Sequence, residues 1–566
     1  MESGMSTAVL GTTESTASGP FVTTAPAVST SFANSVRHGI DIVIAFHRHE
    51  DLVAPLVDSL VACVEELQGL GAGLILINDS PDHEPLKPAI ESARQRLGRA
   101  GLPVAVVSNA ANLGFVRSAN IGLARAREGG RDALLLNSDT QVFPGAIAEM
   151  VRVASLDPMI GFVSPRSNNA TIASLPTQEE YHHQSPAVAH EMFRRLSPHL
   201  PEYHRAPTCI GFCFLVRHPI LARFGLFDES YGAGYSEEND LVMRAGRHGY
   251  RAVLANRAFV HHRGNTSFGP EARQALEGRN SRLLAERYPE YPLAVRAYLA
   301  GPVHRAERML AGLLPDASGR FDVLFDLSDT GGEDGAFEKA KEVLDEIAVR
   351  HAGDFNLFAM VPAGHAVAHR LGAIAAVQVV PTDTDRTFAV GLWFGRLLTR
   401  ESVLRLNRLA VRTAWFMRDT TAEDCRSRHD SDMDWARRQV FQHGDCVVSD
   451  GGFTRPQVAP PAGAAPERAW TGSADEVALM VKELLGRTDA FGPLLRRLAD
   501  MGPASSAQPL GGTGCRDYSG TAEPPGLAAA LRRLAARFGT AFLVGPLRFV
   551  WHAWYRGVSR PRRERY

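Results

Sequence analysis

Short, uninterrupted apolar runs recur along the first half of the chain, and each run ends in Asn, Asp, Ser or Gly. Stretches with helical spacing separate the runs, as at Leu52, Leu56 and Leu60. Uninterrupted apolar runs indicate strands that are covered on both faces, so they predict an α/β unit with a largely parallel sheet over residues 37–300. The predicted strands are Asp41–Ala45, Leu74–Ile77, Val104–Val107 and Ala133–Leu136.

A second set of apolar runs begins near Phe321 and predicts a second α/β unit over residues 318–456. Gly331-Gly332 follows its first strand but forms neither a GxGxxG nor a GKT/GKS loop, and we interpret the pair as a turn. The predicted strands of this unit are Asp322–Asp326, Phe355–Met360, Val377–Val380 and Cys446–Ser449.

The flanking segments differ from these two units in composition. Residues 1–36 are rich in Ser, Thr, Ala and Gly and predict a disordered leader. Residues 457–525 are rich in Pro, Ala and Gly and predict a linker with one helix, capped by Ser473. Residues 526–566 mix aromatic residues with many arginines, which is typical of a basic amphipathic helix at a membrane surface. A helix that packs on this protein or on a partner is the alternative.

Composition and charge narrow the class of protein. A net charge of −1 over 566 residues provides no field that recruits nucleic acid. The six cysteines form no CxxC pair, which argues against a disulfide framework. We see neither a signal-peptide pattern nor an uncharged apolar run of about 18 residues. We therefore expect a cytoplasmic protein whose C-terminal segment contacts the inner face of the plasma membrane.

Carboxylates and amides follow the predicted strands of the first unit, where ligands bind in parallel sheets. Asp79 ends the second strand and can accept a hydrogen bond from a nucleobase, although an Asx-turn is the alternative. Asn112-Leu-Gly-Phe115 follows the third strand, and its glycine allows a close backbone approach to a ligand. Asp139, in Asn137-Ser-Asp139-Thr, offers the oxygen ligand that Mg²⁺ or Mn²⁺ prefers near a diphosphate.

Two further groups lie later in the first unit. Glu237, Glu238 and Asp240 precede an apolar-periodic helix and would repel one another without a ligand or a shared proton. A charged helix cap is the alternative interpretation. His261 and His262 end a later strand, where an imidazole could bind a metal or a phosphate.

The order of these motifs between Asn78 and Ser267 resembles the family 2 glycosyltransferases with the GT-A fold, and most closely their rhamnosyltransferase-like branch. The resemblance implies a GT-A nucleotide-diphospho-sugar transferase fold and transfer of a hexosyl or deoxyhexosyl group with inversion. It also implies a nucleotide-sugar donor and a glycan or lipid-linked acceptor. Synthesis of a bacterial cell-surface polysaccharide or glycan is the expected setting.

The resemblance further implies a role for each candidate residue. Glu238 would be the general base, with Asp240 or Glu237 as alternatives because the family usually has Asp where Glu238 stands. Asp139 would bind Mg²⁺ or Mn²⁺ with His262 or, alternatively, His261. Asn137 stands where a full DxD motif has Asp, which leaves one strong carboxylate ligand. The residues that would hold the donor are Phe46, Arg48, Asp79, Asn112, Phe115 and Asn137.

The second unit resembles the N-terminal Rossmann-like half of a GT-B glycosyltransferase, notably at Trp415–Asp424. No second GT-B half follows it, so we expect an accessory unit for acceptor binding or dimerisation. Two other functions stay open for the whole protein. A nucleotidyltransferase would usually have a Gly-rich loop after the first strand, where this chain has Ala45-Phe-His-Arg-His. A non-catalytic scaffold that retains the fold is the other alternative.

Overall fold

A computed structural model describes residues 39–264, 270–330, 335–361, 371, 374, 376–395, 397–417, 430–449 and 465–501. The predicted leader (residues 1–36) and the predicted basic C-terminal segment (residues 526–566) lie outside these ranges. Within these ranges, no helix has the length and apolarity that crossing a membrane requires.

In the part of the chain that the structure describes, the first sheet has nine strands. Their bounds are β1 (Ile40–Phe46), β2 (Gly73–Asn78), β3 (Val104–Ser108), β4 (Asp132–Leu136), β5 (Thr140–Val142), β6 (Ile160–Arg166), β7 (Tyr203–Ala206), β8 (Cys213–Val216) and β9 (Arg251–His262). The strand order is β3-β2-β1-β4-β8-β6-β9-β5, and β7 pairs with β9. The four predicted strands are β1 to β4, each within a residue or two of its predicted bounds.

The prediction of a largely parallel sheet holds for only half of this sheet. Strands β3, β2, β1 and β4 are parallel, but β8 runs antiparallel to both β4 and β6. All four residues of β8 are nevertheless buried. An uninterrupted apolar run therefore reports burial on both faces and not strand direction.

Eleven helices accompany the first sheet in the described residues. They are α1 (Val53–Ala62), α2 (Val64–Gly69), α3 (Leu86–Arg99), α4 (Phe115–Glu128), α5 (Ala146–Ser155), α6 (Pro186–Leu196), α7 (His218–Phe224), α8 (Glu237–Gly246), α9 (Pro270–Arg287), α10 (Glu290–Leu299) and α11 (Pro302–Leu310). Helices α4, α7, α8 and α9 share one buried core with the sheet. Gly122 allows α4 to approach β1, because a Cβ there would lie 2.2 Å from Cγ1 of Val43.

The second sheet has seven strands in the described residues, and all of its pairs are parallel. The order is β12-β11-β10-β13-β14-β15-β16. The four predicted strands are β10, β11, β12 and β15, whereas the central strands β13 and β14 were not predicted. The bounds are β10 (Phe321–Asp326), β11 (Phe355–Met360), β12 (Val377–Val380), β13 (Phe388–Phe394), β14 (Ala410–Met417), β15 (Cys446–Ser449) and β16 (Glu467–Ala469).

Part of the range predicted as a linker with one helix belongs to this second unit. Strand β16 joins the sheet, and two helices follow it where one was expected. Ser473 caps the first of these, as predicted, by accepting a hydrogen bond from the Asp475 N–H at 3.2 Å. The helices of the second unit are α12 (Gly335–Arg350), α13 (Arg400–Leu409), α14 (Asp430–His443), α15 (Ala474–Gly486) and α16 (Phe491–Asp500).

One hydrophobic core joins the two sheets. Phe193 of α6 and Phe259 of β9 belong to the same buried cluster as Phe325 of β10 and Leu494 of α16. Helix α11, which connects the two units along the chain, contributes Leu310 to this cluster. The two units are therefore packed against each other through apolar side chains as well as joined by the chain.

Candidate active site

The dipeptide Gly211-Phe212, just before β8, connects the main predicted motifs. The Phe212 carbonyl accepts a hydrogen bond from the Asn137 N–H at 2.8 Å, and the Phe212 ring stacks on His262 with centroids 4.9 Å apart. A Cβ on Gly211 would lie 3.7 Å from Cδ of Glu238. The tip of β4, the end of β9 and the start of α8 therefore meet at this point.

Asp139 and His262 face each other beside this dipeptide. His262 Nε2 lies 3.4 Å from Asp139 Oδ2, and both side chains are largely buried. His262 Nδ1 lies 2.7 Å from the Asn169 carbonyl oxygen, which can only accept a hydrogen bond. Nδ1 must therefore carry the proton, so that in a neutral ring Nε2 presents its lone pair towards Asp139.

His261, the alternative ligand, is directed elsewhere. Its Nε2 lies 3.1 Å from the Gln184 carbonyl oxygen, and burial lowers its pKa. Among the described residues, no group of three or more His, Cys, Asp or Glu side chains could hold a metal ion. Of the predicted metal ligands, the structure therefore brings together one carboxylate and one imidazole.

Glu237 and Glu238 begin α8 after two residues with unusual backbone angles. Tyr235 and Ser236 have positive φ values of 69° and 77°, a conformation that is uncommon outside glycine and is found at functional sites. The Oε2 atoms of both glutamates are buried without a hydrogen-bond partner in the described residues. One oxygen of each carboxylate is therefore free to accept a hydrogen bond from a bound molecule.

Burial dominates the electrostatics of this acidic pair. It raises the pKa of Glu238 to about 7, although hydrogen bonds from nearby backbone N–H groups offset part of the shift. Burial raises the pKa of Glu237 well above its usual value, and the neighbouring charge of Glu238 adds to this rise. A carboxylate with a pKa near 7 can exchange a proton at neutral pH.

Asp240 is held by the protein itself. Its Oδ2 accepts a hydrogen bond from Arg244 at 2.6 Å, and its Oδ1 lies 3.3 Å from both the Arg287 guanidinium and the Tyr231 hydroxyl. The side chain is almost fully buried. These contacts give Asp240 a role in fixing the start of α8 and leave Glu238 better placed for proton transfer.

Asp79 holds the loop that contains Asn112 and Phe115. Its carboxylate accepts hydrogen bonds from the Leu113 N–H at 2.8 Å and the Gly114 N–H at 3.0 Å. Asn112 accepts a second hydrogen bond from Gly114 at 2.9 Å. The structure thus engages Asp79 in shaping the loop that was predicted to line the donor pocket.

The remaining predicted donor residues occupy different environments. Phe46 is 1% exposed, and its carbonyl accepts a hydrogen bond from the Asp79 N–H, so its contribution is to the core beneath the site. Arg48 is exposed, and its backbone N–H donates to Ser80 Oγ at 3.1 Å. Phe115 packs near Gly234, where a Cβ would lie 3.8 Å from the phenylalanine ring.

Two site residues were not predicted from the sequence. Asn168 accepts a hydrogen bond from the His262 N–H at 2.9 Å, and the Asn169 carbonyl orients the His262 ring. Both follow β6 directly. The same signal that identified Asn78 and Asn137, an amide at the end of an apolar strand, could have identified them.

Comparison with known proteins assigns the first unit to a family. The model described as glycosyltransferase like family 2 matches residues 38–281, which therefore form a glycosyltransferase family 2 domain, as the resemblance predicted. Curated proteins gave no match to the chain.

Several solved structures are similar to part of the chain. GalNAc-T7 with UDP, GalNAc and Mn²⁺ is 18% identical at a TM-score of 0.34, over 47% of this chain and 51% of that chain. The mannosyltransferase PcManGT from Pyrobaculum calidifontis with GDP-Man and Mn²⁺ is 13% identical at 0.34, over 49% and 74%. S. aureus TarS 1–349 is 14% identical at 0.30, over 49% and 79%. The chain thus spans about half the length of the first of these structures.

Proposed function

We propose that the protein is an inverting glycosyltransferase that transfers a hexosyl or deoxyhexosyl group from a nucleoside-diphosphate donor to an acceptor hydroxyl. The family match over residues 38–281 supports sugar transfer. The observation that carries the proposal is the meeting of Glu238, Asp139 and His262 around Gly211-Phe212. The proposed base, Glu238, therefore lies at the same edge of the sheet as Asp139 and His262. These two residues are the proposed ligands of a metal that binds the diphosphate.

The Asp139 and His262 pair fits Mg²⁺ or Mn²⁺. Asp139 Oδ2 and His262 Nε2 lie 3.4 Å apart, and with a neutral ring the two atoms could bind a shared cation. The hydrogen bond from His262 Nδ1 to a backbone carbonyl is the usual second contact of a metal-binding histidine. When bound, the ion would neutralise charge on the departing diphosphate.

Glu238 supplies the proton transfer in this proposal. Its carboxylate accepts the proton of the acceptor hydroxyl as that oxygen forms a bond to the anomeric carbon, and the bond from that carbon to the diphosphate breaks. A single displacement from the opposite side inverts the anomeric configuration. A raised pKa makes Glu238 a stronger base than an exposed carboxylate, at the cost of protonation below neutral pH.

The second unit has an accessory role in this proposal, in acceptor binding or dimerisation. Its parallel sheet, in which β10 pairs with β11 on one side and β13 on the other, supports a Rossmann-like half related to GT-B enzymes. The composition of residues 526–566 supports a further contact with the inner face of the plasma membrane, where a lipid-linked glycan acceptor would be met. Cell-surface polysaccharide or glycan synthesis is the process that we propose.

Donor binding tests this proposal directly. UDP-, GDP- and dTDP-sugars would be titrated into the full chain with and without Mn²⁺, for the wild type and for Asp139→Ala. We expect the wild type to bind one donor only when the metal is present. Asp139→Ala should lose this metal-dependent binding. Pyrophosphate release from a nucleoside triphosphate and a sugar phosphate would favour a nucleotidyltransferase instead. If the chain bound none of the donors, the result would favour a non-catalytic scaffold that retains the fold.

A further inference from the structure

We propose that Glu307, on the helix that connects the two units, is a positioning residue for His262, through Arg166 and the turn after β6. This inference rests on the proposed function, because it concerns the residue assigned to the metal and diphosphate site. Glu307 lies outside residues 38–281, which the family model matches. Helix α11, which connects the two units, would therefore take part in shaping the candidate active site.

The first step is a buried ion pair between strand β6 of the first unit and the connecting helix α11. Glu307 and Arg166 side chains are both 0% exposed, and the Arg166 guanidinium donates to Glu307 Oε1. Although burial opposes it, Arg166, His204 and His304 lower the pKa of Glu307 to about 2. Glu307 is therefore a stable anion, and it compensates a guanidinium that has no access to water.

The other contacts of the pair orient it. Arg166 Nε donates to Asn256 Oδ1 at 2.8 Å, and the Tyr298 hydroxyl donates to Glu307 Oε2 at 3.2 Å. Asn256 Nδ2 lies 3.1 Å from His204 Nδ1, and His204 Nε2 lies 3.0 Å from the Tyr298 hydroxyl and 3.1 Å from Glu307 Oε1. Since the Arg166 guanidinium is bonded to both Asn256 and Glu307, and each of these has a further partner, the network holds Arg166 in one arrangement.

The second step runs from Arg166 to His262. Arg166 is the last residue of β6, and the turn that follows it contains Asn168 and Asn169. Asn168 accepts from the His262 N–H at 2.9 Å and donates to the His262 carbonyl at 3.1 Å. The Asn169 carbonyl accepts from His262 Nδ1 at 2.7 Å. The end of β6 therefore fixes both the backbone and the ring of His262.

The third step links Glu307 to the second unit. Its neighbours on α11, Ala306 and Leu310, are buried in the core that also contains residues of the second sheet. Helix α11 packs against α16 and β14. Movement of the second unit would therefore move Glu307. Because Glu307 holds Arg166, this movement would also shift the turn that follows β6.

Mn²⁺ binding to the full chain tests the inference without requiring turnover. Electron paramagnetic resonance would measure the Kd for Mn²⁺ alone. We expect Glu307→Gln to raise this Kd about tenfold, as loss of an outer-shell partner does. Combining Glu307→Gln with His262→Ala should add nothing to the effect of His262→Ala, because both act through the same imidazole.

Two further variants separate positioning from stability. The double variant Arg166→Met/Glu307→Leu removes both buried charges, so its thermal stability should recover while its Kd stays raised. Asp445→Asn is a matched control, because Asp445 is an equally buried carboxylate between Arg412 and Arg497 in the second unit. It should lower stability and leave the Kd unchanged.

The outcomes distinguish this inference from the proposed function. A wild-type Kd in folded Glu307→Gln or in the double variant, alongside a raised Kd in His262→Ala, would overturn the positioning role alone. An equal effect of Asp445→Asn would also overturn it, since general destabilisation would then explain the loss. A wild type that binds no Mn²⁺ would overturn both proposals, because there would be no site for Glu307 to position.

Discussion

The first four strands of each sheet have the same order, β3-β2-β1-β4 in the first sheet and β12-β11-β10-β13 in the second. All of these strands are parallel within their sheet. In both sheets, acidic residues stand at or just beyond strand ends. The two units differ in what surrounds these carboxylates.

In the second unit, protein groups compensate the carboxylates. Asp326, at the end of β10, accepts from Arg405 at 2.9 Å, and Asp329 accepts from the Trp393 indole at 2.8 Å. In the first unit, one oxygen of Glu237 and one of Glu238 are buried without a partner in the described residues. A buried carboxylate with an unpaired oxygen is costly, so its presence indicates a functional site. A compensated one indicates structure.

The largest expected effect is on turnover, from Glu238→Gln. The amide keeps the size of the side chain but cannot accept the acceptor's proton, so kcat should fall about 10²–10⁴-fold. Donor binding should persist, because Glu238 acts on the acceptor side of the reaction. Glycosyl transfer to a glycan acceptor and donor titration measure the two quantities. A variant with wild-type kcat would shift the base role to Glu237 or Asp240.

The next effect is on stability, from Asp326→Asn in the second unit. Removing this charge leaves a buried Arg405 partly uncompensated, so the free energy of unfolding should fall by about 3 kcal/mol. Chemical denaturation measures this change, and the kcat of the folded enzyme should stay at the wild-type value. Asp322→Asn is the control, because its ion pair with Arg386 is half exposed and should contribute less than about 1 kcal/mol. If both variants lost the same free energy of unfolding, the buried carboxylates of the second unit would not be stabilising the structure as proposed.

The sequence predicted the four strands β1 to β4 of the first sheet, whose apolar runs are local and uninterrupted. It predicted the second sheet less completely, since β13 and β14 were missed. Strand β14 contains Arg412, a charge that interrupts an otherwise apolar run. Arg412 is buried because Asp445 and Asp489 compensate it from distant parts of the chain, and such pairs cannot be read from spacing.

The same limit applies within the site. The motifs suggested both His261 and His262 as ligands, and only the contacts of their rings distinguish them. His262 is oriented by the carbonyl of Asn169, which any residue at that position could supply. A backbone contact of this kind has no signature in the side-chain sequence, so the amides after β6 could have marked the turn, but the orientation of the His262 ring required the structure.

A smaller effect concerns pH. Because burial raises the pKa of Glu238 to about 7, the carboxylate is protonated, and unable to act as a base, below that pH. We expect kcat/KM to fall about tenfold per pH unit below about pH 7 and to level off above it. The midpoint belongs to the coupled pair of Glu237 and Glu238. Donor affinity measured over the same range is the control, and a flat kcat/KM down to pH 5 would contradict the assignment.

The smallest effect that we predict is a gain in stability from Glu237→Gln. The folded-state pKa of Glu237 is raised above its unfolded value, so its contribution favours folding at low pH and is lost as the pH rises towards the folded pKa. Replacing it with a neutral isostere should therefore stabilise the protein by about 1–3 kcal/mol at pH 8, with almost no gain near pH 4.5. Thermal melting at both pH values measures this, at roughly 2–4 °C per kcal/mol. Asp445→Asn, which removes the carboxylate paired with Arg497 and one of the two paired with Arg412, should lower the melting temperature instead. A loss of stability in Glu237→Gln at pH 8 would mean that Glu237 is compensated like the carboxylates of the second unit.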